Sequence, residues 1–282
     1  MEPSPDASKA QAVVYSGRPE LADPRRFLRS AGRDLVRAPR MAWRLFAGSL
    51  RARRRRSILG HAWIIMPAAA TALICVYLKA QGAFGVAPTA LPYPVHVLAG
   101  MVLWQTVIEA LNAPVQQLAA SRQLITRSRI PHEAVMLGGL YEVGLNAAIR
   151  LVALAIVLAL AGIVPAPSAV LLPVGMVALA CLGTAFGLLV APWALLYDDV
   201  RQGLALVTTF WFLLTPVVYP EVSGSALNLN PVTPLLATAR SSLLGWDVHG
   251  GSLAVLAISM VLLVAGWLLY RLVQPHVVER LA

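Results

Sequence analysis

Residues 169–192 read AVLLPVGMVALACLGTAFGLLVAP, a run of 24 residues without a single charged side chain. About 20 helical residues cross the hydrocarbon core of a bilayer, so this run is long enough to span a membrane. The whole chain has a similar character, with 58% hydrophobic residues, 13% charged residues and a mean hydropathy of +0.70. A soluble protein needs more surface charge, so the sequence predicts an all-α membrane protein.

Five further stretches are apolar enough to cross a membrane, which gives six predicted spans. They cover approximately residues 58–78, 94–113, 143–164, 169–192, 203–219 and 252–272. The segment between the fifth and sixth spans, 221–251, is moderately apolar and contains several prolines and glycines. We expect short reentrant helices there, because backbone at membrane depth must be shielded by protein or line a cavity.

The chain divides into three predicted parts, two of which precede the first span. Residues 1–24 are predicted to form a disordered cytoplasmic tail, residues 25–57 an amphipathic basic helix at the membrane interface, and residues 58–282 the six-span transmembrane domain. Bulky apolar side chains share one face of the interface helix and arginines share another, which is typical of a helix on a membrane surface; a solvated basic helix is the alternative. The two faces contain Trp43, Phe46 and Leu50, and Arg40, Arg44, Arg51 and Arg55.

The basic residues predict the orientation of the chain. Residues 1–56 contain 14 Lys or Arg and 5 Asp or Glu, and the net charge of the whole chain is +10. Because these charges flank apolar spans, we expect anionic membrane lipids and not nucleic acid as partners. With the N-terminus inside, 20 of the 23 basic residues fall in cytoplasmic segments, so both termini are predicted to be cytoplasmic.

The motifs of several enzyme classes are missing from the sequence. Neither of the two lysines, Lys9 and Lys79, ends a GxxxxGK[ST] P-loop, so the chain does not bind ATP by that means. There is no HExxH or GxSxG motif, and Cys75 and Cys181 lie in separate apolar runs. We therefore expect no catalytic residues, no metal site and no cofactor in this chain.

Four stretches, in order, resemble a known family. They are RRRRSILGHAW at 53–63, YPVHVLAGMVLW at 93–104, SRQLITRSRIPHEAV at 121–135, and DVRQGLALVTTFWFLLTPVVYP at 199–220 followed by NPVTPLLATARSSLLG at 230–245. Together they resemble the permease subunit of ABC type-2 polysaccharide exporters, the family that exports O-antigen, capsule and teichoic acid chains. Leu103 departs from the family pattern, in which a proline is common at that position.

The resemblance implies a homodimeric permease in the bacterial inner (plasma) membrane that works with cytoplasmic ABC ATPase subunits. The substrate it implies is a polysaccharide carried on polyprenyl diphosphate, and ATP and Mg²⁺ would be bound by the partner subunit. An ABC type-2 exporter of a lipid or a drug is an alternative. A membrane enzyme or scaffold without transport is a second alternative.

The segment 121–131 is predicted to be the coupling helix that docks on the ATPase. A docking helix needs apolar anchors for burial and charges for register, and this segment has both. A basic loop that only sets the membrane orientation is the alternative. The candidate residues are Arg122, Leu124, Ile125, Arg127, Arg129, Ile130 and Pro131.

A basic cluster at the start of the first span is the candidate site for the lipid diphosphate. Its side chains can form charge-assisted hydrogen bonds with phosphate oxygens. Binding of bulk anionic lipid is an equally good interpretation. The cluster consists of Arg51, Arg53, Arg54, Arg55, Arg56 and His61.

Two patterns inside the spans predict helix packing. Glu142, Asn146 and Arg150 recur every four residues and form one polar stripe in the third span. Ionisable residues in a span rarely face lipid, so we expect an internal network, with substrate contact as the alternative. Gly183 and Gly187 form a small-xxx-small pair that predicts close packing with another helix.

Aromatic residues in and near the second and fifth spans are the candidate glycan path, because sugar C–H edges pack on aromatic rings. Interfacial anchoring or core packing is the alternative for any one of them. The candidates are Trp104, Phe210, Trp211, Phe212 and Tyr219.

Overall fold

The computed structural model describes residues 24–54, 60–82, 88–120, 132–220, 229–245 and 247–281. Every regular element within these ranges is a helix, which confirms the predicted all-α fold. A short 3-10 helix covers Pro167–Leu171. The α-helices are α1 (Pro24–Arg54), α2 (Ala62–Ala80), α3 (Tyr93–Ala120), α4 (His132–Leu160), α5 (Leu172–Leu196), α6 (Asp198–Leu213), α7 (Val232–Ser241) and α8 (Ser252–Leu281).

Five helical segments of the described chain are long and apolar enough to cross a membrane. They are Ala62–Ala80, Tyr93–Leu118, Glu133–Leu160, Pro167–Leu196 and Ser252–Val273. The predicted span at 203–219 corresponds to α6, which has only 16 residues. Helix α6 ends before TPVVYP because a proline disfavours helical backbone at the residue that precedes it, here Thr215 before Pro216.

Helices α3 and α5 form the centre of the bundle. In the most apolar stretch of α3 78% of the residues are buried, against 11% for α2 and 17% for α8. Helix α3 packs against α5, α4 and α2, and the other side of α5 packs against α8. The outer helices α2 and α8 therefore expose apolar side chains at the perimeter, as helices that face lipid do.

The α3–α5 contact depends on two glycines. A Cβ atom on Gly183 would overlap the carbonyl oxygen of Val107, and one on Gly187 would overlap that of Leu111. The two pairs repeat at a spacing of four residues on both helices, so the backbones approach along a shared line. The predicted packing role of this glycine pair is confirmed.

Two clusters of buried apolar side chains mark opposite ends of the bundle. The cluster that we call the proximal end includes Leu118, Met136, Leu195 and Tyr270. The cluster that we call the distal end includes Val95, Leu172, Val217, Leu236 and Leu243. Helix α6 contributes Val200 and Leu204 to the proximal cluster and Trp211 to the distal one, so it runs from one end to the other.

Helix α1 packs on α4 through a narrow strip of two alanines and one aromatic residue. Ala38, Ala42 and Phe46 are buried at a spacing of four residues, and the rings of Phe46 and Tyr141 are 6.1 Å apart. Trp43, which the sequence placed on the apolar face with Phe46, remains 60% exposed. The alanines allow the two helices to approach closely, and the location of α1 on the membrane surface stays a prediction.

Candidate functional site

A cavity of roughly 510 Å³ with both polar and apolar lining lies between α1, α2, α3 and α4, and we call it the polar cavity after its amide and carboxylate groups. Residues 109, 112 and 116 share one face of α3, and residues 142 and 146 share one face of α4, since they repeat at helical spacings of three to four. Both faces line the cavity in the half of the bundle nearer the proximal end. Its principal polar lining consists of Glu109, Asn112, Gln116, Gln117, Glu142 and Asn146.

The wall of this cavity contains an ion pair between a buried arginine and a partly exposed glutamate. Arg150 on α4 donates to Glu109 on α3, and only 2% of the arginine side chain is exposed. Asn146 Nδ2 donates to the second oxygen of Glu109 at 3.2 Å. Arg150 Nε also donates to the carbonyl oxygen of Ile64 at 3.3 Å, so one arginine joins α4 to both α3 and α2.

The sequence pattern identifies the residues of this network on α4 but not the residue on α3. The structure joins Asn146 and Arg150 through Glu109, and it places Glu142 in the cavity lining. Glu109 carries a signal that the sequence interpretation overlooked, because it is a carboxylate inside the second span and such groups need a partner. Trp63, 59% exposed, also lines the cavity and was not a candidate.

The predicted headgroup cluster lies only partly within the described residues. His61 lines the cavity and Arg51 is exposed near the end of α1. The side chains of Arg53, Arg54, Arg55 and Arg56 lie outside the described part of the chain. The entire coupling segment at 121–131 also lies outside it.

The aromatic candidates separate into two groups. The ring of Trp104 lies 6.0 Å from that of Trp211 and 5.8 Å from that of Phe212, and Trp104 is only 4% exposed. These three rings therefore pack in the core of the distal half. Phe210 is 64% exposed, and the hydroxyl of Tyr219 donates to the carbonyl oxygen of Leu213.

Arg240 at the distal end joins α7 to the turn that follows α6. Its Nη2 donates to the carbonyl oxygens of Pro216 and Val217, both at 3.1 Å. Its Nη1 lies 3.0 Å from Nε2 of His96 on α3. A guanidinium has only donors, so Nε2 accepts and the imidazole proton lies on Nδ1.

Arg240 belongs to the segment 221–251 between the fifth and sixth predicted spans, and this arginine is only 8% exposed. Carbonyl oxygens and an imidazole nitrogen replace water around the guanidinium, which makes the burial of this charge tolerable. We call the contacts of Arg240 with residues 96, 216 and 217 the distal clasp.

The bundle defines a multi-pass, α-helical membrane protein. Residues 41–244 match the ABC-2 type transporter family, a region that covers more than half of the 282 residues. The chain therefore belongs to the ABC-2 type transporter family, and it is the permease component of an ABC exporter. The family is a transport family and not a catalytic one, and it implies ATPase subunits and membrane lipids as partners. A search of curated proteins finds no significant match to the chain.

Proposed function

We propose that this permease exports a polysaccharide carried on polyprenyl diphosphate across the bacterial inner membrane, driven by ATP. The polar cavity is the observation that carries the proposal. Amide and carboxylate side chains line it, although three of its four walls, α2, α3 and α4, are helices apolar enough to cross a membrane. Such a cavity suits a hydroxyl-rich headgroup on a lipid anchor.

The lining favours a glycan over a drug or a lipid tail. Asn112, Gln116 and Gln117 each offer both donors and acceptors, which is what sugar hydroxyls require. Asn112 Nδ2 already donates to the carbonyl oxygen of Ile108, but an apolar ligand would cover the remaining amide donors and acceptors without pairing them, at about 1–3 kcal/mol each. Trp63 adds an exposed ring against which the C–H edges of a sugar can pack.

The diphosphate is assigned to the predicted basic cluster, of which Arg51 and His61 are among the described residues. Leu50 and His61 line the cavity, and Arg51 follows Leu50 directly. This arrangement would let the arginines hold the phosphates at the membrane surface while the first sugars occupy the cavity.

The ATPase, with its ATP and Mg²⁺, is proposed to dock on residues 121–131. This segment connects α3 to α4, the two helices that carry most of the polar cavity lining. A displacement of the segment would therefore act directly on the cavity. In the proposed homodimer, Phe210 and Tyr219 are the aromatic candidates accessible for a glycan path, since Trp104 is packed in the core.

Six crossings with both termini in the cytoplasm complete the proposal. Helix α6 runs from the proximal to the distal cluster, and the 16-residue helix rises about 24 Å. The turn at 214–217 extends this path to the distal clasp. Helix α7, whose residues 232–240 are all buried, is the proposed reentrant element.

The test measures surface glycan in a strain that lacks the gene and carries variants of it. Asn112→Leu combined with Gln116→Leu is expected to lower surface glycan about tenfold, because two hydrogen bonds to sugar are lost. Gln105→Leu is the matched control, since Gln105 is an amide on the same helix that does not line the cavity. Normal surface glycan in the deletion strain, with altered resistance to amphiphilic drugs, would favour the drug-export alternative.

A pull-down from detergent distinguishes the non-transport alternative. The wild-type chain is expected to recover a P-loop ATPase, and replacing Leu124 and Ile125 by Asp should abolish the recovery. If wild-type protein recovers no ATPase, the chain would be a scaffold or enzyme without transport.

A further inference from the structure

A buried ion pair joins the first turn of α4 to α8 at the proximal end. Arg271 Nη1 donates to Glu133 Oε1 at 2.6 Å, and the two side chains are 11% and 10% exposed. Separating the two groups would leave each charge in surroundings of low polarity, so the pair holds a fixed geometry.

The two helices that it joins have different packing partners. Helix α4 packs mainly against α1 and α3, whereas α8 packs mainly against α5. Helix α8 packs extensively on α5, whereas its contact with α4 is small and the apolar stretch of α8 is only 17% buried. The Glu133–Arg271 pair is therefore a direct connection between two parts of the bundle.

The position of Glu133 in the chain indicates that movement would pass from α4 to α8. Glu133 comes two residues after the proposed ATPase-docking segment, 121–131, and lies in the first turn of α4. The free N–H groups of that turn interact favourably with its carboxylate, so the carboxylate moves with the start of the helix. A displacement of the docking segment reaches Glu133 before it reaches the rest of α4.

We propose that the Glu133–Arg271 ion pair transmits movement of the docking segment to α8 during the ATP cycle. The proposal rests on the proposed function, because it requires an ATPase bound at 121–131. Both residues are positioning residues, since they act through the helices that they join. Coupling of this kind is carried by a physical contact whose loss changes the response of one helix to the other.

The test compares ATP hydrolysis by the permease–ATPase complex, purified from native membranes, with surface glycan on the same cells. In Glu133→Gln and in Arg271→Gln, ATPase recovery and hydrolysis should stay within about twofold of wild type, while surface glycan falls about tenfold. The double variant Glu133→Arg, Arg271→Glu restores opposite charges and should regain part of the export, since an arginine in the first turn of α4 loses the favourable interaction with the helix N-terminus. A rescue of this kind is not expected if either side chain acts only by filling space.

Asp198→Asn is the matched control. It removes the carboxylate of an ion pair with Arg201, also at the proximal end, whose side chains are 41% (Arg201) and 74% (Asp198) exposed. Export and hydrolysis should both remain at wild-type levels, because exposed pairs contribute little.

If the single Gln variants lose hydrolysis and export in parallel, and the double variant restores neither, the pair is only a structural contact. This result would overturn the proposal. Unchanged export in both single variants would also overturn it. If the single variants unfold, Glu133→Cys with Arg271→Cys provides a second measurement, in a background with Cys75→Ala and Cys181→Ala. If α4 and α8 move together, a cross-link between positions 133 and 271 leaves export intact, and this result supports the proposal. If the cross-link stops export, the two helices must separate during transport, and the proposal is overturned.

The outcome for the wild-type chain separates this inference from the proposed function. If the wild-type chain recovers no ATPase, the proposed function fails and the coupling role fails with it. If the wild-type chain recovers an active ATPase and exports glycan while the Gln variants remain coupled, only the ion-pair inference fails.

Discussion

Arg150 on α4 forms an ion pair with Glu109 on α3, and its guanidinium is almost completely enclosed by protein. The carboxylate also accepts a hydrogen bond from Asn146 and lines the polar cavity. The same interaction therefore fixes the distance between α3 and α4 and neutralises a charge at the site proposed for the sugar.

Replacing Glu109 by Leu is expected to lower the free energy of unfolding by about 3 kcal/mol, because the Arg150 guanidinium remains buried without its partner. Replacing Arg150 by Leu should cost less, because Glu109 is 28% exposed and keeps the hydrogen bond from Asn146. The double variant Glu109→Leu, Arg150→Leu should lose less than the sum of the two single losses, since neither charge remains. Equilibrium unfolding of the purified protein in detergent micelles measures all three values. Additive losses would show that the two side chains are not energetically coupled.

The close approach of α5 to α3 gives a second prediction. Gly187→Ala places a Cβ against the carbonyl oxygen of Leu111, so it should destabilise the protein by about 1–3 kcal/mol. Gly203→Ala is the matched control, because a Cβ on that α6 glycine meets no atom within 4 Å. Alanine is a better helix former than glycine by about 0.8–1 kcal/mol, so the control should be neutral or stabilising. Equal unfolding midpoints for both variants would contradict the packing argument.

The features that the sequence predicted correctly depend on local pattern. An uncharged run such as 169–192 specifies a membrane helix wherever it packs, and the spacing of Gly183 and Gly187 specifies a line of close approach. The helical part of the fifth predicted span ends early, at Leu213, because TPVVYP is hydrophobic enough to extend a span but its prolines disfavour helical backbone.

The features that the sequence missed depend on which helix faces meet. Glu109 pairs with a residue 41 positions away, and no spacing rule on α3 alone identifies that partner. The buried face of α1 contains Ala38 and Ala42, which carry little hydrophobic signal but allow close contact with α4. In the sequence Arg240 looks like an ordinary charged loop residue. Its burial depends on three acceptors that come from other parts of the chain.

The distal clasp gives a third prediction. Arg240→Lys keeps the positive charge but loses the planar fork that reaches two carbonyl oxygens and an imidazole at once. We expect faster hydrogen exchange in α7 and in residues 214–217, and an unfolding free energy lower by about 2–3 kcal/mol. His96→Gln should have a smaller effect, because the two carbonyl contacts remain. If exchange changes only in the proximal half of the bundle, the assignment of the clasp is wrong.

The path of α6 gives the fourth prediction, which concerns the sixth crossing. Arg201 lies near the start of α6 and Val248 follows α7, and both side chains are exposed. If α6 and the turn after it cross the membrane, these two positions lie on opposite sides. Single cysteines at 201 and 248, in a background with Cys75→Ala and Cys181→Ala, can be labelled in spheroplasts with a membrane-impermeant maleimide.

We expect Val248→Cys to react in intact spheroplasts and Arg201→Cys to react only after permeabilisation. Val164→Cys is the outer reference, because Val164 is 92% exposed in the connection between α4 and α5, close to the distal end. Reaction of positions 201 and 248 from the same side would mean that α6 enters the membrane and returns. The chain would then cross five times, its termini would lie on opposite sides, and the proposed docking face for the ATPase would have to be reassigned.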